Sequence, residues 1–435
     1  MKQIFNMTSL WAVGLLAGLL MTLPTTSQAG GFIIHVGPGK QNFPLAVPKP
    51  EGAGSLSDKL WEVVLRDLEM TGYFNIIDPD AYIDQSGSVT PGGFNFADWR
   101  LVNAAALAKM QITSNASGLQ VDLYVYDVNE GATLKGRRLT ANERAVRSLG
   151  HAVANNIVKS LTGEDSFFGQ SIAIVGEQTG NKEIYLMDLD GKNIRPVSKN
   201  GSINLSPAWS PDGAKIAWTS YKRNNPDLYV KKLSSGQVQA LSAKQGLNIG
   251  AAYSPDGKQI AVTRSTRGDS DIYILDAQTG EMVKRITKGG GIDVSPSFSP
   301  DGTKLAFASE RSGGSQIFVY DLATETTRRV SRQGRFNVDP AWSPDGKKLA
   351  FVGRDPRFDI FVLDIKTQRT IRITEKMGDN EDPSWSPDGR YLVFASTRKG
   401  RSQIWLSTAD GTHQVPVTAH SGGWSQPVWT PESGR

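Results

Sequence analysis

The chain has 435 residues, 39% apolar and 21% charged, which suits a multidomain globular protein and not a disordered or fibrous one. Its formal net charge of +5 is spread without Lys/Arg runs, so no nucleic-acid partner is expected. It has no cysteine, which excludes disulfides, thiolate metal sites and a cysteine nucleophile; the four histidines (His35, His151, His413, His420) stand at no metal-ligand spacing, so no metal and no cofactor are expected.

Residues 1–29 read as a cleaved secretory signal. Lys2 supplies the charged start, Leu10 to Leu23 form an uncharged apolar stretch, and Ser27 and Ala29 are the small residues of a cleavage site. That stretch is short for a bilayer span of about 20 residues. No later segment is apolar enough to cross, so an exported mature chain without a membrane span is expected.

Residues 30–164 are expected to form an α/β domain. Phe32–Val36 and Pro44–Val47 suit strands. Ser55 to Thr71 reads as a helix with Leu60, Val64, Leu65 and Leu68 on one face and Gly72 as its stop. Tyr73–Ile77 suits a strand, and Asp98 is expected to cap a helix running to Met110. Val121, Leu123 and Val125 alternate with polar neighbours, the turn Asn129-Glu130-Gly131 leads into a returning strand, and a helix is expected from Ala141 to Leu161, ended by Gly163. Residues 164–170 form a short linker, which favours packed domains.

Residues 165–435 repeat. Ser-Pro-Asp-Gly begins at Ser210, Ser254, Ser299, Ser343 and Ser386, at spacings of 44, 45, 44 and 43, and a degenerate copy follows at Thr430. An aromatic precedes each copy: Trp209, Tyr253, Phe298, Trp342, Trp385 and Trp429. Pro presets φ, Asp suits the next turn position and Gly tolerates positive φ, so each copy predicts a tight turn between two strands. Four antiparallel strands per repeat make one propeller blade. Ile172–Gly176, Glu183–Asp190 and Asn193–Ser198 lack a first strand, whereas Gln426–Trp429 is a first strand with nothing behind it. Together they predict a six-bladed all-β propeller closed by the C-terminal strand, which hides open sheet edges. The aromatics are expected between neighbouring sheets, and the motif aspartates as turn formers.

Six positions before each motif stand Asn204, Asn248, Asp293, Asn337, Asn380 and Trp424. They enter the innermost strands, so they are expected to ring one mouth of the channel, as loop formers and as partner contacts. Arg223, Arg267, Arg311, Arg354 and Arg398 recur after the second strands, as solvated loop charges or a positive rim. No nucleophile elbow, phosphate loop or His-Glu-x-x-His motif occurs, and Gly37-Pro38-Gly39-Lys40 lacks the strand–loop–helix context of a phosphate cradle; no enzyme is expected.

The order of signal, α/β domain ending in Leu161-Thr162-Gly163, Ser206–Gly213 opening the array and Gln426–Trp429 closing it resembles the TolB family, the periplasmic component of the Tol–Pal envelope system. The resemblance covers the whole mature chain. It implies a periplasmic, non-catalytic, monomeric adaptor for outer-membrane integrity and constriction at cell division. It would bind the peptidoglycan-associated lipoprotein Pal through one propeller face, with other outer-membrane proteins as further partners, and TolA through the extreme N-terminal segment. Here that segment is Phe32, Ile33, Ile34, His35 and Val36, preceded by two glycines where the family's segment opens with charged residues. A periplasmic sensor binding a small ligand or cell-wall glycan at the channel mouth is the alternative.

Overall fold

The computed structural model describes residues 43–432, apart from 85, 117, 267, 290 and 419–421. The signal peptide and the segment Phe32–Val36 lie outside the described residues.

The first domain is built on a sheet of β1 (Phe43–Ala46), β2 (Phe74–Ile76), β3 (Ala106–Asn115), β4 (Gly118–Asp127) and β5 (Ala132–Ala141), in the order β2-β1-β3-β4-β5. β1 runs parallel to β2 and β3, and the other pairs are antiparallel. The helix α1 (Ser55–Thr71) buries Leu60, Val64 and Leu68 on one face of the sheet, beside α3 (Val146–Thr162). Both helices end on a left-handed glycine, Gly72 with φ 68° and Gly163 with φ 75°, whose N–H groups cap preceding carbonyls. The other sheet face is covered by Tyr82 and Trp99, the latter on the short helix α2 (Phe96–Leu101).

Two helix expectations are corrected. The helix expected from Asp98 to Met110 is only α2, capped by the Asn95 side chain, and Asn103 with φ 59° turns the chain away. The rest becomes β3, because Ala106, Ala108, Met110 and Ile112 face one core and Leu107 faces the other. A strand buried on both faces lacks the polar alternation that would separate it from a helix. The helix expected from Ala141 begins at Val146, since Ala141 still pairs in β5 and Asn142 caps a single 3₁₀ turn.

The second domain has six four-stranded antiparallel sheets. Blades I to V have first strands Asn204–Trp209, Asn248–Tyr253, Asp293–Phe298, Asn337–Trp342 and Asn380–Trp385. Blade VI joins the closing strand Trp424–Trp429 to Ser171–Gly176, Glu183–Asp188 and Arg195–Pro196. In blade I, the Ser210 hydroxyl donates to Asp212 at 2.5 Å and accepts the Lys215 N–H at 2.8 Å, while Gly213 takes φ 67°. The other four full copies repeat this bonding, so the motif aspartates are turn formers. The preceding aromatics pack in the inter-blade cores, and the Trp385 indole donates to the Ala341 carbonyl of the previous blade at 3.0 Å.

The two domains share one core. Phe167 of the linker packs edge-on against Tyr391 and Trp429 of the propeller, and the Tyr391 hydroxyl donates to the Thr71 carbonyl at 2.9 Å. Arg390, which follows the blade V turn, donates to the Tyr73 hydroxyl at 3.0 Å. The α/β domain therefore sits at the turn end of the blade strands. No helix among the described residues is long and apolar enough to cross a membrane.

Candidate functional site

Every first strand carries a β-bulge at one height. In blade II, Ile249 opposes Thr263 and Ala252 opposes Ala261, which leaves Gly250 and Ala251 facing a single partner residue; the other five blades shift register at the same place. A bulge bends a strand and re-aims its side chains, and it is where a proline can sit inside a sheet. Five of the six bulges contain one: Pro207, Pro296, Pro340, Pro383 and Pro427.

The residue opening each bulge has a left-handed backbone: Ser206 (φ 53°), Gly250 (62°), Ser295 (54°), Asp339 (51°), Asp382 (56°) and Gln426 (49°). Only Gly250 adopts this without a Cβ penalty. The other five each hold strain of order 1–3 kcal/mol, of a kind that gathers at functional sites. These six residues ring a channel cavity of about 410 Å³. They are stitched across blades: Gln426 Oε1 accepts the Ser206 N–H at 2.7 Å, the Gln426 N–H donates to Asp382 at 3.1 Å, and the Ser295 hydroxyl donates to Asp339 at 2.7 Å.

Two carboxyls on neighbouring blades give the channel its electrostatic character. Withdrawal from water, then repulsion from Asp339 and Glu381, pushes Asp382 up to about 8. Withdrawal from water also raises Asp339, and Glu381 rises for the same reason and through Asp339. The channel wall thus favours a protonated carboxyl near neutrality. Among the described residues no group of His, Cys, Asp or Glu is placed to hold a metal ion.

The six residues expected to ring the mouth all begin their first strands, but their side chains point into the protein. Asn204, Asn248, Asn337 and Asn380 are fully buried, and Asp293 and Trp424 nearly so. Three of them clasp the neighbouring blade at the start of its third strand: Asn204 donates to Glu183 at 2.9 Å, Asn337 to the Gln316 side-chain oxygen at 3.0 Å, and Asn380 to Asp359 at 3.1 Å. Asn248 accepts from Ser242 and donates to the Lys244 carbonyl, both at 2.7 Å, and Asp293 takes both oxygens to Arg311 at 3.1 and 3.0 Å. Trp424 packs edge-on against Tyr185. Their side chains therefore hold the loops that frame the mouth. Two of the loop arginines pin buried side chains: the exposed Arg311 bonds Asp293, and the half-buried Arg398 bonds Asn380 at 3.0 Å and lies over Trp405. Arg223 and Arg354 are exposed, and Arg267 lies outside the described residues.

Sequence reasoning missed the exposed apolar residues just before the first strands. Ile203 is 45% exposed, Ile292 44%, Phe336 36% and Met377 43%. They stand at the end of the blades opposite the turns and the α/β domain. A proline three residues before the motif, repeated in five of the six blades, was the available signal for the bulges beneath them.

The chain matches two family descriptions, "TolB amino-terminal domain" over residues 34–134 and "TolB beta propeller domain" over residues 158–433. The crystal structure of TolB from Acinetobacter baumannii superposes with TM-score 0.79 and 29% identity, covering 90% of this chain and 97% of that one. The Tol-Pal system protein TolB of Geobacter sulfurreducens is 37% identical over 183 residues, 41% of this chain and 42% of the relative. That of Syntrophotalea carbinolica is 39% identical over 215 residues, 47% of this chain and 49% of the relative. The chain thus spans about half the length of the curated relatives it matches.

Proposed function

The chain belongs to the TolB family, and from that membership we propose that it is a non-catalytic periplasmic adaptor of the Tol–Pal system, binding Pal through its propeller and TolA through the segment Phe32–Val36. The observation that carries this reading is similarity over both domains in order, since a propeller alone hosts many unrelated functions. Its role is outer-membrane integrity and envelope constriction at division.

On this proposal Pal docks at the mouth face, framed by Asn204, Asn248, Asp293, Asn337, Asn380 and Trp424. Ile203, Ile292, Phe336 and Met377 are exposed there beside basic loop residues such as Arg223 and Arg354. Exposed apolar side chains rimmed by charge favour a protein partner, with an aromatic such as Phe336 as anchor. The strained bulge ring beneath supplies a rigid floor.

Crosslinking in intact envelopes, followed by purification of the tagged chain and identification of its adducts, tests the reading. Pal and TolA adducts are expected. Their absence from complexes of a folded, exported chain overturns the adaptor reading.

A further inference from the structure

We propose that the seam between the α/β domain and blade VI is a proton-operated latch, in which a proton held by the His151–Asp67 pair keeps the two domains closed. His151 on α3 faces Asp67 on α1, with Nδ1 2.7 Å from Oδ2, and the two residues are 8% and 2% exposed. Behind them stands Asp190, on the blade VI turn that follows Glu183–Asp188, with its side chain 5% exposed. Arg147, one helical turn before His151 on α3, bonds Asp190 at 2.5 Å and lies 3.9 Å from Asp188. The linker closes the site with the backbone of Gly169, where an added Cβ would stand 3.9 Å from that of His151. The charged groups acting on His151 are therefore Asp67 from α1, Arg147 from α3 and Asp190 from the propeller.

The charge balance makes the device. With the imidazole protonated, His151 is paired with Asp67 and Arg147 with Asp190, while Asp188 adds a third carboxylate 3.9 Å from Arg147. Loss of the proton removes the cation paired with Asp67 and adds an uncompensated negative charge where little water reaches, which is strongly unfavourable. Hydration relieves it, and hydration requires the α/β domain to move off the blade. A cleft of about 490 Å³, lined by Glu62, Arg66, Arg147, Asp190, Lys192 and Thr418, already brings solvent to the edge of the site.

The titration agrees in sign. Burial alone would lower His151, but the hydrogen bond and charge of Asp67, with Asp190, outweigh it and hold the imidazole above its ordinary value. Burial raises Asp67, against the opposing pull of His151. Both groups bind protons more tightly folded than unfolded. The contribution of Asp67 is lost as pH rises through its own raised value, and that of His151 is complete below the ordinary imidazole value and lost as pH rises through the raised one. Beyond the latch, α1 is tied to blade V through Thr71, Tyr73 and Glu69, whose carbonyl lies 3.0 Å from His413 Nε2. The movement is therefore a hinge and not a separation. None of this depends on which partner the propeller binds.

Hydrogen exchange of the whole chain from pH 5.5 to 8.5, corrected for the intrinsic rate, tests it on peptides spanning 60–70 and 186–194. Protection should fall about tenfold for each pH unit by which folding raises the imidazole value. His151→Gln, which keeps a hydrogen-bonding side chain without the titration, should be flat across the range. Asp190→Asn should move the transition to lower pH while leaving the His151–Asp67 bond in place, and it decides the matter if His151→Gln fails to fold. A pH-independent seam in the wild type, the same transition in His151→Gln, or an unmoved transition in Asp190→Asn overturns the latch.

Discussion

Asn380→Ala separates a clasp from a contact. The Asn380 amide donates to Asp359 of blade IV at 3.1 Å and its oxygen accepts from Arg398 at 3.0 Å, with no solvent exposure. A hydrogen bond to a charged group contributes about 1.5–3 kcal/mol, so two such bonds set a range of about 3–6 kcal/mol. Neither partner is orphaned: Asp359 keeps Thr374 at 2.6 Å and Arg372 at 2.5 Å, and Arg398 keeps Gln414 at 2.8 Å. The lower end, about 3 kcal/mol, is therefore expected. Urea denaturation followed by tryptophan fluorescence reads it as a shift of the propeller transition, and a titration with Pal at low denaturant reads binding. The variant should lose that stability and keep its affinity within about threefold, less than 0.7 kcal/mol. Unchanged stability with binding lost would refute the reasoning and make the Asn380 side chain a contact.

Two further outcomes follow from the ring. Gly176→Ala would place a Cβ 2.3 Å from the Trp424 ring on the closing strand, so it should cost about 1–3 kcal/mol by overpacking; an unchanged melting temperature would mean that the seam yields freely. Asp382, raised to about 8, binds its proton more tightly folded than unfolded, so wild-type stability should decline as pH rises from about 4 towards 8. Asp382→Asn should flatten that decline in melting curves from pH 4 to 9, and parallel curves for the two proteins would contradict the channel electrostatics.

The blade period was legible because the turn is local chemistry. Ser, Pro, Asp and Gly each act within a few residues of their own position, and the same bonding recurs in every full copy. The helix at Ser55–Thr71 was legible for the same reason, with an apolar stripe and a glycine stop. β3 was not, because its residues are buried on both faces by elements far away in the chain. The asparagines were legible as a ring but not as clasps. Asn204 reaches Glu183, Asn337 reaches Gln316 and Asn380 reaches Asp359, each in the preceding blade, and no single repeat contains both halves of the bond. The left-handed ring was hidden because Ser, Asp and Gln carry no local preference strong enough to announce positive φ before a proline.

On the proposed function, Pal docks at the mouth face, opposite the α/β domain. Calorimetric titration of the folded chain with the periplasmic domain of Pal tests it, comparing Ile292→Glu and Phe336→Glu on that face with Lys347→Glu on the turn face, where the side chain is 77% exposed. Saturable one-to-one binding, weakened at least about tenfold (1.4 kcal/mol) by each mouth variant and unchanged by Lys347→Glu, is the predicted result. No binding, or a loss confined to Lys347→Glu, would contradict it.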